Sequence, residues 1–336
     1  MQNMPAISVV MSVYNDAEHV AATIGSILQQ TFSDFELIVV DDCSTDNSLN
    51  IIQSFNDSRI ILIENDKNFG LAASLNRGIH AANSKYIARI DSDDVALPER
   101  LKVQFDFMEQ NPEVGVCGSY YQNFGYLTNI STVPLDDFSI KFKLLYDCPL
   151  LHPSLIIRKE VLDKNNMYYN PEFRKNQDYE LYSRLVDVTR FANIPKVLMN
   201  YHQVESNLTR IQSGIQRDNI LKIRRTFFSK VRVELSDIEI DLYANVNYHQ
   251  YPTCKKDVVL LEQLFLRMIE GNLNSRYLPP EKFNAAIGML WDNLCINNTH
   301  LGWWTFKVHR ESKLRKYYAS SIAESKKFLI KSIIRK

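Results

Sequence analysis

The sequence predicts an α/β protein in which a mostly parallel sheet flanked by helices is followed by a helical C-terminal region. Apolar, β-branched runs alternate with stretches of helical periodicity over residues 1–110, the connections are short, and beyond residue 212 only helical patterns remain. Strands that read as near-continuous apolar runs are buried on both faces, which calls for helices on either side of a parallel sheet built from right-handed crossovers. A chain of 336 residues accommodates one large domain and a smaller one. We place the first at 1–212, in halves 1–110 and 111–212, and the second at 213–336.

The elements follow in order. Ile7 to Val13 is apolar and β-branched, the first strand; Val20 to Leu28 then carries apolar residues at helical spacing. Phe35 to Val40 is a second buried strand. Helix Ser48 to Phe55, strand Arg59 to Ile63, helix Leu71 to Ala82 and strand Tyr86 to Ile90 come next. The helix from Pro98 to Met108 begins on a proline, which suits a first turn because its missing N–H would have no partner there. In the C-terminal region, Ile215 to Val231, Asp257 to Glu270, Pro280 to Cys295 and a stretch from Ser312 have helical periodicity.

Ligands of such sheets bind beyond the carboxyl ends of the strands. Three of those ends are polar: Ser12-Val13-Tyr14-Asn15, Asp41-Asp42-Cys43-Ser44-Thr45-Asp46, and Asp91-Ser92-Asp93-Asp94. Side chains at i and i+2 of an extended chain point the same way, so Asp91 and Asp93 converge. Carboxylates that close repel each other unless a cation lies between them, and an all-oxygen site suits Mg²⁺ or Mn²⁺. Asp42 offers an acceptor to a base edge, and Tyr14 offers a ring on which a base can stack. Taken singly, each also fits a structural role: a turn residue before a helix, a half-buried ring, a solvated acidic loop. No G-x-G-x-x-G follows the first strand and no G-x-x-x-x-G-K-[ST] occurs, so neutralising a phosphate falls to the metal.

Composition narrows the class further. Lys plus Arg and Asp plus Glu number 39 each, so nothing implies an affinity for nucleic acid. The five cysteines, at 43, 117, 148, 254 and 295, lack metal spacing and read as reduced thiols of a cytosolic protein. The N-terminus has no signal-peptide pattern, and no run approaches the ~18 apolar residues of a membrane span.

Taken together, Ile7 to Asn15, Ser26 to Asp46, Asn68-Phe69-Gly70-Leu71 with Asn76 and Gly78, and Ala88-Arg89-Ile90-Asp91-Ser92-Asp93-Asp94 resemble the ordered motifs of family 2 glycosyltransferases. The match is dense over 6–108 and thinner to about 210. The resemblance implies a GT-A fold, a nucleotide-sugar donor, most often a UDP-sugar, and transfer with inversion. It puts Ser12, Tyr14, Asp42, Asn68, Asp91 and Ser92 at the nucleotide and Asp93, with Asp91, on a Mn²⁺ or Mg²⁺ ion bridging the diphosphate. Inversion also needs a base to take the acceptor proton. By resemblance that base is Asp178, in Asn176-Gln177-Asp178-Tyr179-Glu180, where Gln177 stands in place of the family's first acid.

Two segments resemble the family's acceptor side. His152, opening His152-Pro153-Ser154-Leu155-Ile156-Ile157-Arg158, would touch acceptor or phosphate, or else serve as a structural histidine. In Ile194 to His202, the histidine expected near the diphosphate is displaced; Val204 holds its position, and His202 lies two residues earlier, on the same face by alternation. The family also implies a lipid-linked or surface-glycan acceptor in bacterial polysaccharide biosynthesis, and a peripheral enzyme at the inner face of the cytoplasmic membrane.

Residues 312–336 hold eight Lys or Arg against Glu324, a charge of +7. Leu314, Tyr318, Ile322, Leu329 and Ile333 recur at helical steps, and Trp303 and Trp304 precede them. Such a basic amphipathic helix suits an anionic membrane surface, or equally packs on its own domain or on a second copy in a homodimer. Two rival classes share the acidic motif. Asp91-Ser92-Asp93-Asp94-Val95 fits haloacid dehalogenase-like phosphatases, which carry it after the first strand. A non-catalytic nucleotide-sugar binder would keep Asp42 without needing Asp178.

Overall fold

A computed structural model of the chain describes residues 4–203, 214–252, 254–318, 328–330 and 332. Its contacts divide the chain into two units, residues 1–140 with 148–219, and residues 141–147 with 220–336.

The first unit alternates strands and helices through its first half as the sequence predicts: β1 (Ile7–Val13), α1 (Val20–Leu28), β2 (Phe35–Asp41), α2 (Ser48–Gln53), β3 (Ile60–Glu64), α3 (Leu71–Ala81) and β4 (Tyr86–Arg89). Then come β5 (Val95–Ala96), α4 (Arg100–Gln110), β6 (Val114–Gly125), β7 (Ile130–Ser131), α5 (Asp137–Leu144), whose residues from 141 on count with the second unit, β8 (Ile156–Arg158), α6 (Lys159–Asn165), α7 (Gln177–Leu185) and β9 (Arg190–Gln203). The strands form one sheet in the order β3-β2-β1-β4-β8-β6-β9-β5, with β7 on β6. From β3 to β4 the pairing is parallel. Beyond β4 it is mixed, because β8 runs antiparallel to both β4 and β6 while β6 and β9 run parallel.

Both faces of the central strands are buried, which is why β1 and β2 carry Val, Ile, Leu and Met at successive positions. Val9, Met11 and Val13 join the core cluster with Ile24 and Leu101. On the opposite face α3 lies close to the sheet, and Gly78 permits it: a Cβ there would stand 2.6 Å from Val10 Cγ1. Asn76, two residues earlier on the same helix, clips a distant segment. Its Nδ2 donates to the carbonyl of Tyr169 at 2.7 Å, and its Oδ1 accepts the Tyr169 amide at 2.9 Å.

Two details depart from the sequence reading. β4 stops at Arg89, and Asp91 to Asp94 form a turn closed by the Asp94 amide on the Asp91 carbonyl, so a turn and not strand alternation gathers the carboxylates. α4 begins at Arg100, two residues after Pro98. Arg100 itself is wholly buried. It donates to the Arg89 carbonyl (2.6 Å), to Leu155 O (3.3 Å) and to Gln104 Oε1 (3.1 Å), pinning the end of β4 to α4 and β8. Burial pushes its pKa down to about 9 against the pull of Asp94.

The second unit is helical: α8 (Gly214–Lys230), α9 (Asp237–Asn247), α10 (Lys255–Ser275), α11 (Pro280–Asn297) and α12 (Trp303–Glu311). Phe227, Phe228, Tyr243, Phe265, Phe283 and Trp291 fill its core. The sequence reading passed over α9, whose Ile238, Ile240 and Leu242 alternate like a strand. Its legible signal was the capping box formed by Ser236 and Glu239. Ser312 ends a helix where one was expected to begin: it is extended, and its hydroxyl accepts the Leu314 amide at 3.1 Å to start a 3₁₀ turn over Lys313–Tyr317. Leu314 is fully buried while Tyr318 is exposed, so these two do not share one helical stripe. Ile322 and Ile333, with most of the expected basic face, lie outside the described residues. No helix among the described residues is long and apolar enough to cross a membrane.

Replacing Arg100 with Leu strands the Arg89 carbonyl in the core. This should cost about 2–3 kcal/mol and lower the melting temperature by roughly 5–10 °C, measured calorimetrically.

Candidate functional site

The turn after β4 gathers three acids. Ligand atoms of Asp91, Asp93 and Asp94 lie within 4.8 Å of one another. Asp94 is completely buried. Its Oδ1 accepts the His202 amide at 2.8 Å, its Oδ2 has no partner, and burial together with Asp91 pushes its carboxyl up to about 8. Burial, Asp91 and Asp16 raise Asp93 as well. A set of hard oxygen donors that destabilise one another as anions, one oxygen being buried and unmatched, fits a divalent cation such as Mn²⁺ or Mg²⁺.

β9 delivers His202 to the same place, because β5 pairs antiparallel with it. His202 Nδ1 stands 3.4 Å from Asp93 Oδ2. The ring is stacked on Phe124 at 5.0 Å and tilted on His19 at 4.8 Å. Sequence reasoning missed His19 and its partner Asp16. Asp16 Oδ1 lies 2.7 Å from His19 Nδ1, which raises the histidine's pKa, and Asp16 Oδ2 accepts the Ser92 hydroxyl at 2.5 Å. Ser92 therefore shapes the turn. Thr23 bridges the same turn from α1, its hydroxyl 2.6 Å from the Ser92 carbonyl and 2.7 Å from that of Asp94.

At the end of β2, Asp42 is buried and engaged. Asn65 Nδ2 (2.6 Å) and the Phe69 amide (2.9 Å) donate to its Oδ1, and the Gly70 amide (2.8 Å) donates to its Oδ2. Gly70, at φ +86°, turns the chain into α3. The carboxylate thus folds the loop that presents exposed Asn68 and Phe69. Its neighbour Asp41, which the sequence reading did not single out, is equally buried and keeps Oδ1 unmatched. Ser12 is half-buried near the end of β1, and two residues on Tyr14 is half-exposed. Asn15, at φ +53°, accepts the Thr45 amide at 2.7 Å and so joins the loops after β1 and β2.

A cavity of about 340 Å³ holds Asp91, Arg89, His152 and Asp178 among its lining residues. Asp178 lies in the first turn of α7, which Asn176 enters in a left-handed conformation (φ +64°). Burial raises its pKa above the usual carboxylate value, against the backbone amides of the helix start. His152 Nε2 lies 2.7 Å from the Tyr169 hydroxyl, and burial with nearby Arg89 pushes its pKa well down, so the ring is neutral. Arg89, also unforeseen, is buried beside the cavity and bonded to Asp91 through Nη2.

The half-parallel α/β sheet followed by a helical region has the fold class of the GT-A glycosyltransferases. Residues 8–165 match the family model described as glycosyl transferase family 2. An uncharacterized glycosyltransferase of Methanocaldococcus jannaschii is 33% identical over 206 residues, 59% of this chain and 70% of that one. The UDP-Glc:α-D-GlcNAc-diphosphoundecaprenol β-1,3-glucosyltransferase WfaP of Escherichia coli is 27% identical over 223 residues, 65% of this chain and 86% of its own length. In structure, S. aureus TarS 1–349 in complex with UDP-GlcNAc is similar with a TM-score of 0.57 at 18% identity, over 93% of this chain and 89% of that one. The chain belongs to glycosyltransferase family 2, which sets aside the dehalogenase-like phosphatase reading.

Converting Asp42 to Asn turns an N–H toward the loop amides. The expected result is a stability loss of about 1–3 kcal/mol and faster hydrogen exchange over residues 65–70, read by mass spectrometry.

Proposed function

We propose that this glycosyltransferase moves a sugar from a UDP-sugar to a hydroxyl of a lipid-linked or surface glycan, with inversion, using Asp178 as the base. The observation that carries this reading is the single cavity lined by Asp91, from the turn after β4, and by Asp178, from α7. A nucleotide sugar anchored at the first would present its anomeric carbon toward the second. The acceptor oxygen bonds to that carbon as the bond to the diphosphate breaks, UDP departs, and the acceptor proton passes to Asp178. A carboxyl with a raised pKa holds that proton more readily than an exposed one.

Asp91, Asp93 and Asp94 would hold Mn²⁺ or Mg²⁺, with His202 beside them; a bound divalent cation supplies neutralisation of the charge growing on the departing diphosphate. Tyr14 offers its half-exposed ring to the uracil. Asp41, with its unmatched oxygen, suits the base N–H, and Asp42 orders the Asn68 loop around it. Ser92 serves through Asp16, and neutral His152 through Tyr169. The acceptor class follows the diphosphoundecaprenol substrate in the name of the E. coli relative. For such an acceptor, the eight basic residues within 312–336 and exposed Trp303 would suit attachment at the inner face of the cytoplasmic membrane.

Two outcomes are expected. UDP with Mn²⁺ should raise the melting temperature, at ~100 times its dissociation constant by the equivalent of roughly 2.7 kcal/mol, whereas GDP, dTDP, EDTA or Asp93→Ala should not. Failure of every nucleotide to bind would overturn the donor site. Asp178→Asn should cut transfer by a factor on the order of 10²–10⁴ while leaving UDP binding nearly unchanged. Because the native pKa of Asp178 is raised, its contribution to stability is fully present below the unfolded carboxylate pKa and is lost as pH rises through the native one. The Asn variant should therefore gain in relative melting temperature as the pH is raised from below the ordinary carboxylate value to pH 8. A variant less stable at both values and defective in UDP binding would make Asp178 a structural cap, and unimpaired transfer would remove Asp178 from the role of base.

A further inference from the structure

The longest uncharged stretch of the chain is residues 114–135, 22 residues without Asp, Glu, Lys, Arg or His in a protein whose residues are 23% charged. It forms β6, the turn that follows, and β7. Four apolar side chains in its second half are exposed: Tyr126 at 60%, Leu127 at 37%, Ile130 at 57% and Leu135 at 39%. Apolar residues scattered singly over a surface need no partner, whereas a cluster on a segment stripped of charge marks an interaction surface.

Much of the hairpin's hydrogen bonding is internal. Asn123 donates through its amide to the Asn129 carbonyl at 2.9 Å, and through Nδ2 to that carbonyl at 3.0 Å and to Ser131 Oγ at 2.8 Å. Gln122 Nε2 donates to the Thr128 carbonyl at 2.8 Å. Backbone groups that enter a lipid boundary need partners within the protein, because hydrocarbon offers none. A tyrosine with aliphatic neighbours suits the interfacial layer, where the ring is buried and the hydroxyl stays wet. A protein partner would be met by a polar, charged rim, and residues 114–135 carry no charge to supply one.

The same hairpin borders the cavity of Asp91 and Asp178, to which Tyr121 of β6 and Val133 contribute. Ile130 is three residues from Val133, at most about 11 Å of extended chain. A surface that takes the tip is thereby brought close to that cavity.

We propose that the tip of the β6–β7 hairpin, with Tyr126, Leu127 and Ile130, docks on the boundary of a lipid bilayer and brings the cavity to the surface that carries the acceptor. The purpose of this contact rests on the lipid-linked acceptor proposed above; the contact itself is a property of the hairpin. It differs from the charge attraction of residues 312–336, which acts on anionic lipid.

Flotation of the full chain with phosphatidylcholine vesicles, which carry no net charge, is the test. The wild type should float with them, and Leu127→Asp combined with Ile130→Asp should bind about tenfold or more weakly. Leu127→Phe combined with Ile130→Phe should float as the wild type does. All three proteins should bind UDP with Mn²⁺ within about twofold of one another, since neither side chain lines the cavity. A wild type that floats only when phosphatidylglycerol is added assigns attachment to the basic residues and overturns the docking surface. So does aspartate substitution that leaves flotation unchanged, or sedimentation showing a dimer that the same substitution dissolves, which gives the tip to a second copy. Transfer to a polyprenyl-diphosphate glycan held in detergent separates the two readings: flotation without transfer removes the acceptor class and keeps the surface, and transfer without flotation does the reverse.

Discussion

Charge compensation at the carboxyl end of β4 is the constraint on which the rest of the molecule depends. Two buried arginines, Arg89 and Arg100, lie beneath a turn bearing Asp91, Asp93 and Asp94, and they are joined to each other through a backbone carbonyl. Burying guanidinium groups is costly unless anions are near, and crowding carboxylates is costly unless cations are near. Each charged set makes the other tolerable. The cations are fixed in the core, while Asp91 and Asp93 are only partly buried.

Around that centre the sheet changes character at β4, the strand that carries the acidic turn. The parallel half brings the ends of β1, β2 and β4 to one edge, and their loops are tied together by side chains: Asn15 to Thr45, Asp16 to Ser92, Asp42 to Gly70. The mixed half carries the opposing groups. Short β8 lies between β4 and β6 and directly follows the turn that carries His152, while β9, pairing with both β6 and β5, brings His202 to the acidic turn. Asp178 comes from a third place, the start of α7, and the Asn76 clip on Tyr169 secures the segment leading to it.

The first half of the fold was legible because its strands are buried on both faces and its helices are amphipathic, so hydrophobic pattern alone fixed β1 to α3 to within a few residues. Around the cavity and the acidic turn, the positions of Asp91, Asp93 and Asp178 were legible as motif members, and that of His202 by its parity along a strand. Less visible were groups whose meaning is purely spatial. Arg89 looks like a strand terminus until its bond to Asp91 is located, and Asp16 gains significance only when the turn 76 residues away reaches its carboxylate. The hydrogen bonds of Asp42 to Asn65, Phe69 and Gly70 are likewise invisible in the sequence, because those partners lie 23 to 28 residues away. Helix α9 was missed because alternating isoleucines resemble a strand, and pattern counts more than capping in a short segment.

The hairpin between β6 and β7 is fastened at both ends to β9. The Tyr126 amide donates to the Gln203 carbonyl at 2.9 Å, and Asn193 donates through its amide and side chain to the carbonyls of Leu135 and Pro134. Residues 127–133 between these anchors form an excursion that contributes Val133 to the cavity wall. Such a segment can be lengthened, shortened or exchanged during evolution without displacing the acidic turn or Asp178. Variation there would reshape one wall of the cavity and leave the rest of its frame in place.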